Sequence, residues 1–342
     1  MPINAATGAS CTINLLPPPP TTTSSSSSND QIPEKIPCEE YKHETTTNPT
    51  TGAIQETVTI ESQQACPFEI FIDIKPTAYS TLTANSSSKS AKLKPQDYVI
   101  HTILDGISAG YCKRPKSNSD GSVRLSKTYS RDQSSFRSYQ FAPITLVDPD
   151  DYDPRNQIQG SARDPTETIC EDEKVIKSLG TIQVDIIRAD LVHRRRKPAQ
   201  NRAAPVPSTN QMLFSERSKK ARLLNTAGLS NYSPSNLPPA PMEWHIKKQD
   251  PQPFLQFIFK YKPRVILEDE GTIARDPSHA PHINQDIEDD DHDDEQESDR
   301  KPFLKRLKSE ATTDNNDDDD ENQDRQMKKP KIIDLTGSDD SD

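Results

Sequence analysis

The chain has 342 residues, enough for two ordinary domains, but only 30% of them are hydrophobic and 30 are prolines. Globular chains are about 45 to 50% apolar with glycine counted, whereas this chain reaches only about a third, which excludes two full-sized hydrophobic cores. The net charge of −11 arises at one end, because residues 276–342 hold 23 acidic and nine basic side chains. We therefore expect one folded domain flanked by polar tails.

The first segment, residues 1–53, is rich in serine, threonine and proline. Four consecutive prolines at 17–20 are followed by three threonines and five serines. Such a composition buries too little apolar surface to offset the entropy of ordering the chain. We predict a disordered arm over these residues.

Alternating apolar residues begin at about Ile54 and predict β-strands, because successive side chains of a strand point to opposite faces. Weaker strand patterns lie at 55–61, 98–105, 122–129 and 138–148. Three segments have a clear period of two, and their inward-facing residues are Phe68, Ile70, Ile72 and Ile74, then Ile182, Val184 and Ile186, then Leu255, Phe257, Phe259 and Tyr261.

Many short strands without regularly alternating long helices predict a mainly β domain over residues 54–275. Its expected architecture is an antiparallel sandwich or open barrel. Residues 276–342 would form a disordered acidic tail. Polar segments predict long loops near 80–95, 149–174, 194–210 and 225–240.

One or two short helices are expected within this domain. Ser215 is a suitable cap for a basic helix over 216–224. Pro263 and Gly271 are typical start and stop residues for a helix over 264–270.

Three sequence stretches carry a family resemblance: LGTIQVDIIRAD at 179–190, FSERSKKA at 214–221 and FLQFIFKYKPRVILEDEGTI at 254–273. Their order resembles a family of fungal proteins described only as a domain of unknown function. The resemblance covers about residues 54–275 and implies a domain boundary and a fungal source. It implies no activity, ligand or catalytic residue.

Catalytic frameworks are missing from the sequence. It has no glycine-rich dinucleotide fingerprint, no phosphate-binding loop and no nucleophile elbow. Its histidines do not have the spacing of a zinc site, and the acidic cluster near 148–153 lacks the glycine and glutamate of a calcium loop. We predict no enzyme activity, cofactor or metal site. The alternative is a hydrolase or sugar-binding enzyme whose residues meet only in space.

The five cysteines are odd in number and widely spaced, which favours free thiols in a reducing compartment. No apolar run is long enough to cross a bilayer, and the N-terminus lacks the pattern of a secretory signal. We expect a soluble intracellular protein without a membrane partner. The cysteines are Cys11, Cys38, Cys66, Cys112 and Cys170.

The last twelve residues, KIIDLTGSDDSD, resemble a SUMO-interacting motif. An extended apolar segment of this kind can add as a strand to a sheet edge, with side-chain pockets giving specificity. An acidic and phosphorylatable flank would face a basic rim. A tail patch without a partner is the alternative. The motif core is Ile332, Ile333, Asp334, Leu335 and Thr336, and the flank holds Ser338, Asp339, Asp340, Ser341 and Asp342.

Two basic clusters in the acidic tail predict nuclear import through an import receptor. Charge balancing within the tail is the alternative. Lys308 stands in an aliphatic-Lys-x-Glu pattern and is a possible SUMO acceptor. The first cluster contains Arg300, Lys301, Lys305 and Arg306, and the second contains Lys328, Lys329 and Lys331.

Two further basic segments lie in the body of the chain, at 193–198 and 215–222. These segments could contact nucleic-acid phosphates. No stacking aromatic residue accompanies them in sequence, however. Loop charges or import signals are therefore the preferred interpretation.

The sequence as a whole favours a nuclear adaptor that binds SUMO or SUMO-modified partners. The runner-up is a chromatin-associated protein whose acidic stretches at 286–299 and 314–324 bind histones or other basic proteins.

Overall fold

The computed structural model of the chain describes residues 1–16, 35–84, 93–118, 120–130, 132–147, 169–196, 206–216, 224–236 and 241–275. All of them lie in one compact unit that spans residues 1–281. The described part is mainly β, as predicted, and no helix within it has the length and apolar character needed to span a membrane.

The described secondary structure consists of short strands, three α-helices and one 3-10 turn. The strands are β1 (Ser10–Leu15), β2 (Ile36–Pro37), β3 (Glu40–Thr47), β4 (Ile54–Glu61), β5 (Phe68–Asp73), β6 (Asp97–Leu104), β7 (Ile107–Arg114), β8 (Ser122–Leu125), β9 (Lys127–Tyr129), β10 (Ser135–Pro143), β11 (Thr145–Val147), β12 (Thr181–Arg195), β13 (Leu213–Ser215), β14 (Asn225–Leu229), β15 (Ser233–Pro234), β16 (Met242–Gln249) and β17 (Leu255–Lys262). The helices are α1 (Ala78–Ala84), α2 (Glu173–Ser178) and α3 (Arg264–Asp269), and the 3-10 turn is Thr209–Gln211.

The largest sheet has seven strands in the order β3-β4-β17-β12-β6-β7, with β16 also paired to β12. A second sheet has the order β2-β1-β5-β8, and a third joins β14, β10 and β15, with β9 paired to β10. A short β11-β13 pair completes the described sheets. These strands form several sheets and no closed barrel, and the predicted mainly β class is confirmed.

One apolar core joins the three larger sheets. Phe68 of β5 packs against Phe141 of β10 with ring centroids 4.6 Å apart, and Phe141 contacts Tyr261 of β17 at 5.1 Å. Every inward-facing residue predicted for the three clearest strands is at most 1% exposed. The period-two patterns were reliable here because one face of each of these strands lies against the core.

Not every pair of strands is antiparallel. β4 runs parallel to β17 from Ile54 opposite Leu255 to Glu61 opposite Lys262, and β11 runs parallel to β13. Gln55 and Gln256, 201 positions apart, hydrogen-bond across the first of these pairs at 3.0 Å. Parallel neighbours need long connections, so local turn signals in the sequence could not reveal this pairing.

The helix over 264–270 is confirmed as α3, which follows Pro263 and ends before Gly271. The helix predicted over 216–224 falls mostly outside the described residues. Three α-helices exceed the expected one or two, because α1 and α2 occupy segments that were predicted to be partly loop. Asp172 caps α2 by accepting a hydrogen bond from the Lys174 amide at 2.9 Å.

Strand β14 corrects the loop prediction over 225–240, because all five of its residues are buried. A Cβ atom at Gly228 would lie 2.5 Å from the Ser208 hydroxyl oxygen. The 3-10 turn segment therefore packs directly on this strand and requires a glycine there. Because glycine is unfavourable within strands, its presence at position 228 weakens the sequence signal for β14.

The predicted disordered arm over residues 1–53 is wrong for residues 1–16 and 35–53. Strand β1 pairs with β5, with Ile13 opposite Ile70, and the Cys38 amide donates to the Ile13 carbonyl at 2.9 Å. Cys11 and Ile13 are completely buried. Only six residues form β1, and the polar tract that follows it dominated the compositional signal; residues 17–34 lie outside the described part.

We expect Ile13→Ala to lower the free energy of unfolding by about 2 to 5 kcal/mol, because it leaves a cavity in the shared core. Urea denaturation followed by circular dichroism measures the change. The control Thr46→Ala, on the exposed face of β3, should change stability by no more than about 0.5 kcal/mol. An Ile13→Ala protein as stable as the control would show that β1 does not belong to the core.

Candidate functional site

The predicted tail sites all lie outside the described residues. These are the SUMO-binding core Ile332, Ile333, Asp334, Leu335 and Thr336, the import clusters Arg300, Lys301, Lys305, Arg306, Lys328, Lys329 and Lys331, and the acceptor Lys308. The basic segment at 215–222 is described only for its first two residues. The segment at 193–198 is described as far as Arg196, and its first three side chains lie exposed at the end of β12.

The buried carboxyl group of Asp105 accepts hydrogen bonds from four donors. It lies in the two-residue turn between β6 and β7 and is fully buried. Its oxygens accept hydrogen bonds from the Tyr261 hydroxyl at 2.7 Å and from the Ala227 amide at 2.8 Å. The amides of Gly180 and Thr181 donate to it at 2.9 and 3.2 Å. This carboxyl group therefore connects β6, β12, β14 and β17.

Burial raises the pKa of Asp105 to about 7, although its four donors oppose that shift. Burial, together with the neighbouring carboxyl group, also raises the pKa of the Tyr261 hydroxyl well above its ordinary value. A pKa near neutrality is common in catalytic acids and bases. Both side chains are buried in the core, however, so their contacts indicate a structural role.

The five cysteines are free thiols. Burial raises the pKa of each of them, to about 12 for Cys38. A thiol with a raised pKa is a poor nucleophile, because the thiolate is the reactive form. The cysteines therefore offer no activated nucleophile.

An open cleft of about 560 Å³ lies beside the edge strand β7, where it faces β8 and β9. Two tyrosines and three cationic side chains dominate its lining. We call it the basic cleft, and its defining residues are Tyr111, Lys113, Arg124, Lys127 and Tyr129.

Each cation of the basic cleft lies over an aromatic ring. The Lys113 ammonium is 5.6 Å from the Tyr111 ring centroid, and the Lys127 ammonium is 5.8 Å from that of Tyr129. Arg124 lies 4.7 Å from the Phe71 ring and also forms a 3.0 Å ion pair with Glu69. Cations and exposed aromatic rings together suit an anionic ligand with a flat or apolar part.

The basic cleft continues onto the outer face of the largest sheet. The Lys113 ammonium donates a hydrogen bond to the carbonyl oxygen of Trp244 on β16. Trp244 stands opposite His193 of β12, and their ring centroids are 4.8 Å apart. Arg195 follows two positions later on the same face of β12.

Two short patterns could have identified the basic cleft from the sequence. Tyr111-Cys112-Lys113 and Lys127-Thr128-Tyr129 each place one aromatic and one cation two positions apart, hence on one face of a strand. Asp105-Gly106 is in addition a typical two-residue hairpin signal that predicts β7 after β6. The proximity of Trp244 to His193, by contrast, follows from strand pairing and has no local signal.

Residues 32–276 match the profile described as Domain of unknown function (DUF7918). The chain belongs to the DUF7918 family. This confirms the resemblance to a family of unknown function, and the DUF7918 region includes β2 and β3, upstream of the boundary predicted at residue 54. Neither a curated protein nor a solved structure matches the chain.

We expect the Asp105→Asn substitution to remove a pH-dependent part of the stability. The folded-state pKa of about 7 exceeds the ordinary 3.8, so the folded state binds the proton more tightly. The resulting contribution to the free energy of unfolding is fully present below about pH 4 and is lost as the pH rises through 7. The total change in this contribution is roughly 4 kcal/mol. Urea denaturation at several pH values, with wild type and variant side by side, measures it.

The quantity to compare is the unfolding free energy of wild type minus that of Asp105→Asn. This difference should decrease as the pH is raised from 4.5 to 7.5. Glu173→Gln, at the exposed start of α2, provides the control and should show no such trend. A wild-type-minus-variant difference that stays constant across this range would contradict the assignment.

Proposed function

We propose that this DUF7918 protein is a nuclear adaptor whose C-terminal tail binds SUMO or SUMO-modified partners. The observation that carries the proposal is the terminal sequence KIIDLTGSDDSD. It combines aliphatic residues, an acid and a phosphorylatable acidic flank in the order that suits strand addition to a sheet edge. We further infer a fungal source from the sequence resemblance.

Nuclear location is part of the proposal because SUMO-modified partners and import signals suit the same compartment. The two basic clusters stand within otherwise acidic sequence, where a compact group such as MKKPK has the composition of an import signal. Lys308 is proposed as an acceptor for SUMO itself, on the pattern Leu307-Lys308-Ser309-Glu310.

A binding role, without enzyme activity, is supported by the chemistry of the described domain. Its open cleft presents cations and tyrosines, whereas Asp105 and Tyr261, with the strongly shifted pKa values described above, are buried in contact with each other. Groups suited to general acid or base work need access to a substrate. The cleft meets the needs of recognition better than those of proton transfer.

A second candidate function is chromatin association through the acidic stretches at 286–299 and 314–324. Dense carboxylates attract lysine-rich proteins such as histones through a screened field. Deleting 286–324 while keeping the terminal motif separates the two functions. Loss of salt-sensitive histone binding with SUMO binding retained would assign the acidic stretches to histones.

A peptide of the last twelve residues is expected to bind purified SUMO with micromolar to tens of micromolar affinity, about −6 to −8 kcal/mol, because an unbound segment must be ordered. Replacing Ile332, Ile333 and Leu335 with alanine should abolish binding, since the pocket contacts disappear while the charge stays. Titration calorimetry measures both peptides.

The matched control for the SUMO experiment neutralises the flank with Asp339→Asn, Asp340→Asn and Asp342→Asn. This peptide should bind more weakly and with a flatter salt dependence, because exposed charges act through a screened field. Equal binding by the triple-alanine peptide, or no saturable binding by the natural peptide, would rule the proposal out.

A fluorescent fusion of the full chain is expected to accumulate in the nucleus. Replacing Lys328, Lys329 and Lys331 with glutamine should shift most of it to the cytoplasm, and adding the same change at the 300–306 cluster should complete the loss. Microscopy of the three fusions measures the nuclear fraction. The import assignment fails if neutralising both clusters leaves that fraction unchanged.

A further inference from the structure

A strip of cations and aromatic rings runs from the basic cleft onto the outer face of the largest sheet. It begins at Lys127 and Tyr129 in the basic cleft and passes through Tyr111 and Lys113 on β7. It then reaches the paired ends of β12 and β16. We call it the basic strip, and it combines the basic cleft with His193, Arg195 and Trp244.

Strand pairing places the β7 residues of the strip on the same face as those of β12 and β16. Lys113 stands directly opposite Val99 on β6, and Val99 packs in a small apolar cluster with Leu191 and Trp244. Because alternate residues of a strand share a face, His193 and Arg195 lie on the same side as Leu191. The opposite side of this sheet faces the main core through residues such as Ile100.

Two cations of the strip, Lys127 and Arg195, are available for a ligand, whereas Lys113 already donates a hydrogen bond to the Trp244 carbonyl oxygen. Among the described residues, no acidic side chain forms an ion pair with Lys113, Lys127 or Arg195, whereas Arg124 is paired with Glu69. The nearby acid Asp185 lies on the same face as His101. Its partners are the side-chain amides of Gln183 and Gln256, which donate hydrogen bonds to it at 2.8 and 2.7 Å.

The aromatic rings of the strip are accessible as well. Tyr111 is 56% exposed, and its ring stacks on His101 with centroids 5.4 Å apart. Because one face of the Tyr111 ring packs on His101 and the residue is exposed, a further planar group could stack on the ring. Trp244 and His193 form a second, partly exposed ring pair at the other end of the strip.

We propose that the basic strip binds single-stranded nucleic acid without strong sequence preference. Proteins of that kind combine a positively charged groove, which follows the phosphates, with aromatic side chains on which bases stack. Both components are present here, interleaved over two neighbouring surfaces. Duplex bases are stacked internally and cannot stack on Tyr111, so a single strand suits the strip better. An acidic protein would use the cations but would not need the exposed rings.

The test measures anisotropy of a fluorescently labelled oligothymidylate of about 15 nucleotides, titrated with the full chain. Saturable binding is expected at about 50 mM salt, weakening strongly by about 200 mM as counterions are released. The double variant Lys127→Gln and Arg195→Gln should lower the affinity about 10-fold. It should also reduce the slope of log affinity against log salt by roughly 1.4, at about 0.7 for each lost phosphate contact.

Tyr111 provides a test that leaves the charge unchanged. Tyr111→Ala should lower the affinity about 5- to 50-fold with the salt slope retained, because only base stacking is lost. Tyr111→Phe keeps the ring and should bind within about twofold of wild type. A charge control, Lys42→Gln with Lys177→Gln, removes two exposed cations from β3 and α2 and should also bind like wild type.

Four results would overturn the proposal: no saturable binding at low salt, equal losses in the strip and control double variants, tighter binding of a duplex of the same length, or displacement of the oligonucleotide by polyglutamate at equal charge. The last result would assign the strip to acidic proteins. Thermal denaturation of each variant confirms that the domain is folded. SUMO binding by the terminal peptide is measured separately, so either proposal can fail alone.

Discussion

The hydrogen bonds to the Asp105 carboxyl group are the interaction on which the arrangement of the sheets depends. The Asp105 side chain, in the β6–β7 turn, accepts hydrogen bonds from the segment before β12, from β14 and from β17. These elements are more than 150 residues apart along the chain at the extremes, as with Asp105 and Tyr261. Removing a buried acceptor would leave several donors without partners, and each unsatisfied donor costs about 1 to 3 kcal/mol. These hydrogen bonds explain why Asp105 is present in the core although burial disfavours its ionised form.

This junction also determines which surface remains for binding. The inner face of the largest sheet packs in the core through Tyr261 and its neighbours, so the proposed binding surface lies on the outer face and at the edge strand β7. Tyr111 and Lys113 lie there because the Asp105-Gly106 turn returns the chain alongside β6. The same short turn thus anchors the core on one side and positions the basic cleft on the other.

The chain separates opposite charges along its length, and this suits two kinds of partner. Four cations of the described domain meet aromatic rings in the basic strip, whereas residues 276–342 hold 23 acidic and nine basic side chains. A SUMO-binding terminal motif and a nucleic-acid-binding strip would let one molecule contact a modified protein and a nucleic acid together. The two interactions differ in physical origin, since the first relies on apolar pockets and strand addition and the second on counterion release and stacking.

Periodicity and turn chemistry act over a few residues, so the sequence alone predicted the β class, the inward faces of β5, β12 and β17, and the helix after Pro263. It did not place β1 in the core, since a six-residue strand is outweighed by the polar tract beside it, nor β14, whose Gly228 is required by contact with a distant turn. The proposed terminal motif and basic clusters are likewise local sequence patterns. The proximity of Trp244 to His193, and of the basic cleft to the paired ends of β12 and β16, arises from the tertiary structure, because strand pairing between distant segments depends on the packing of the whole core.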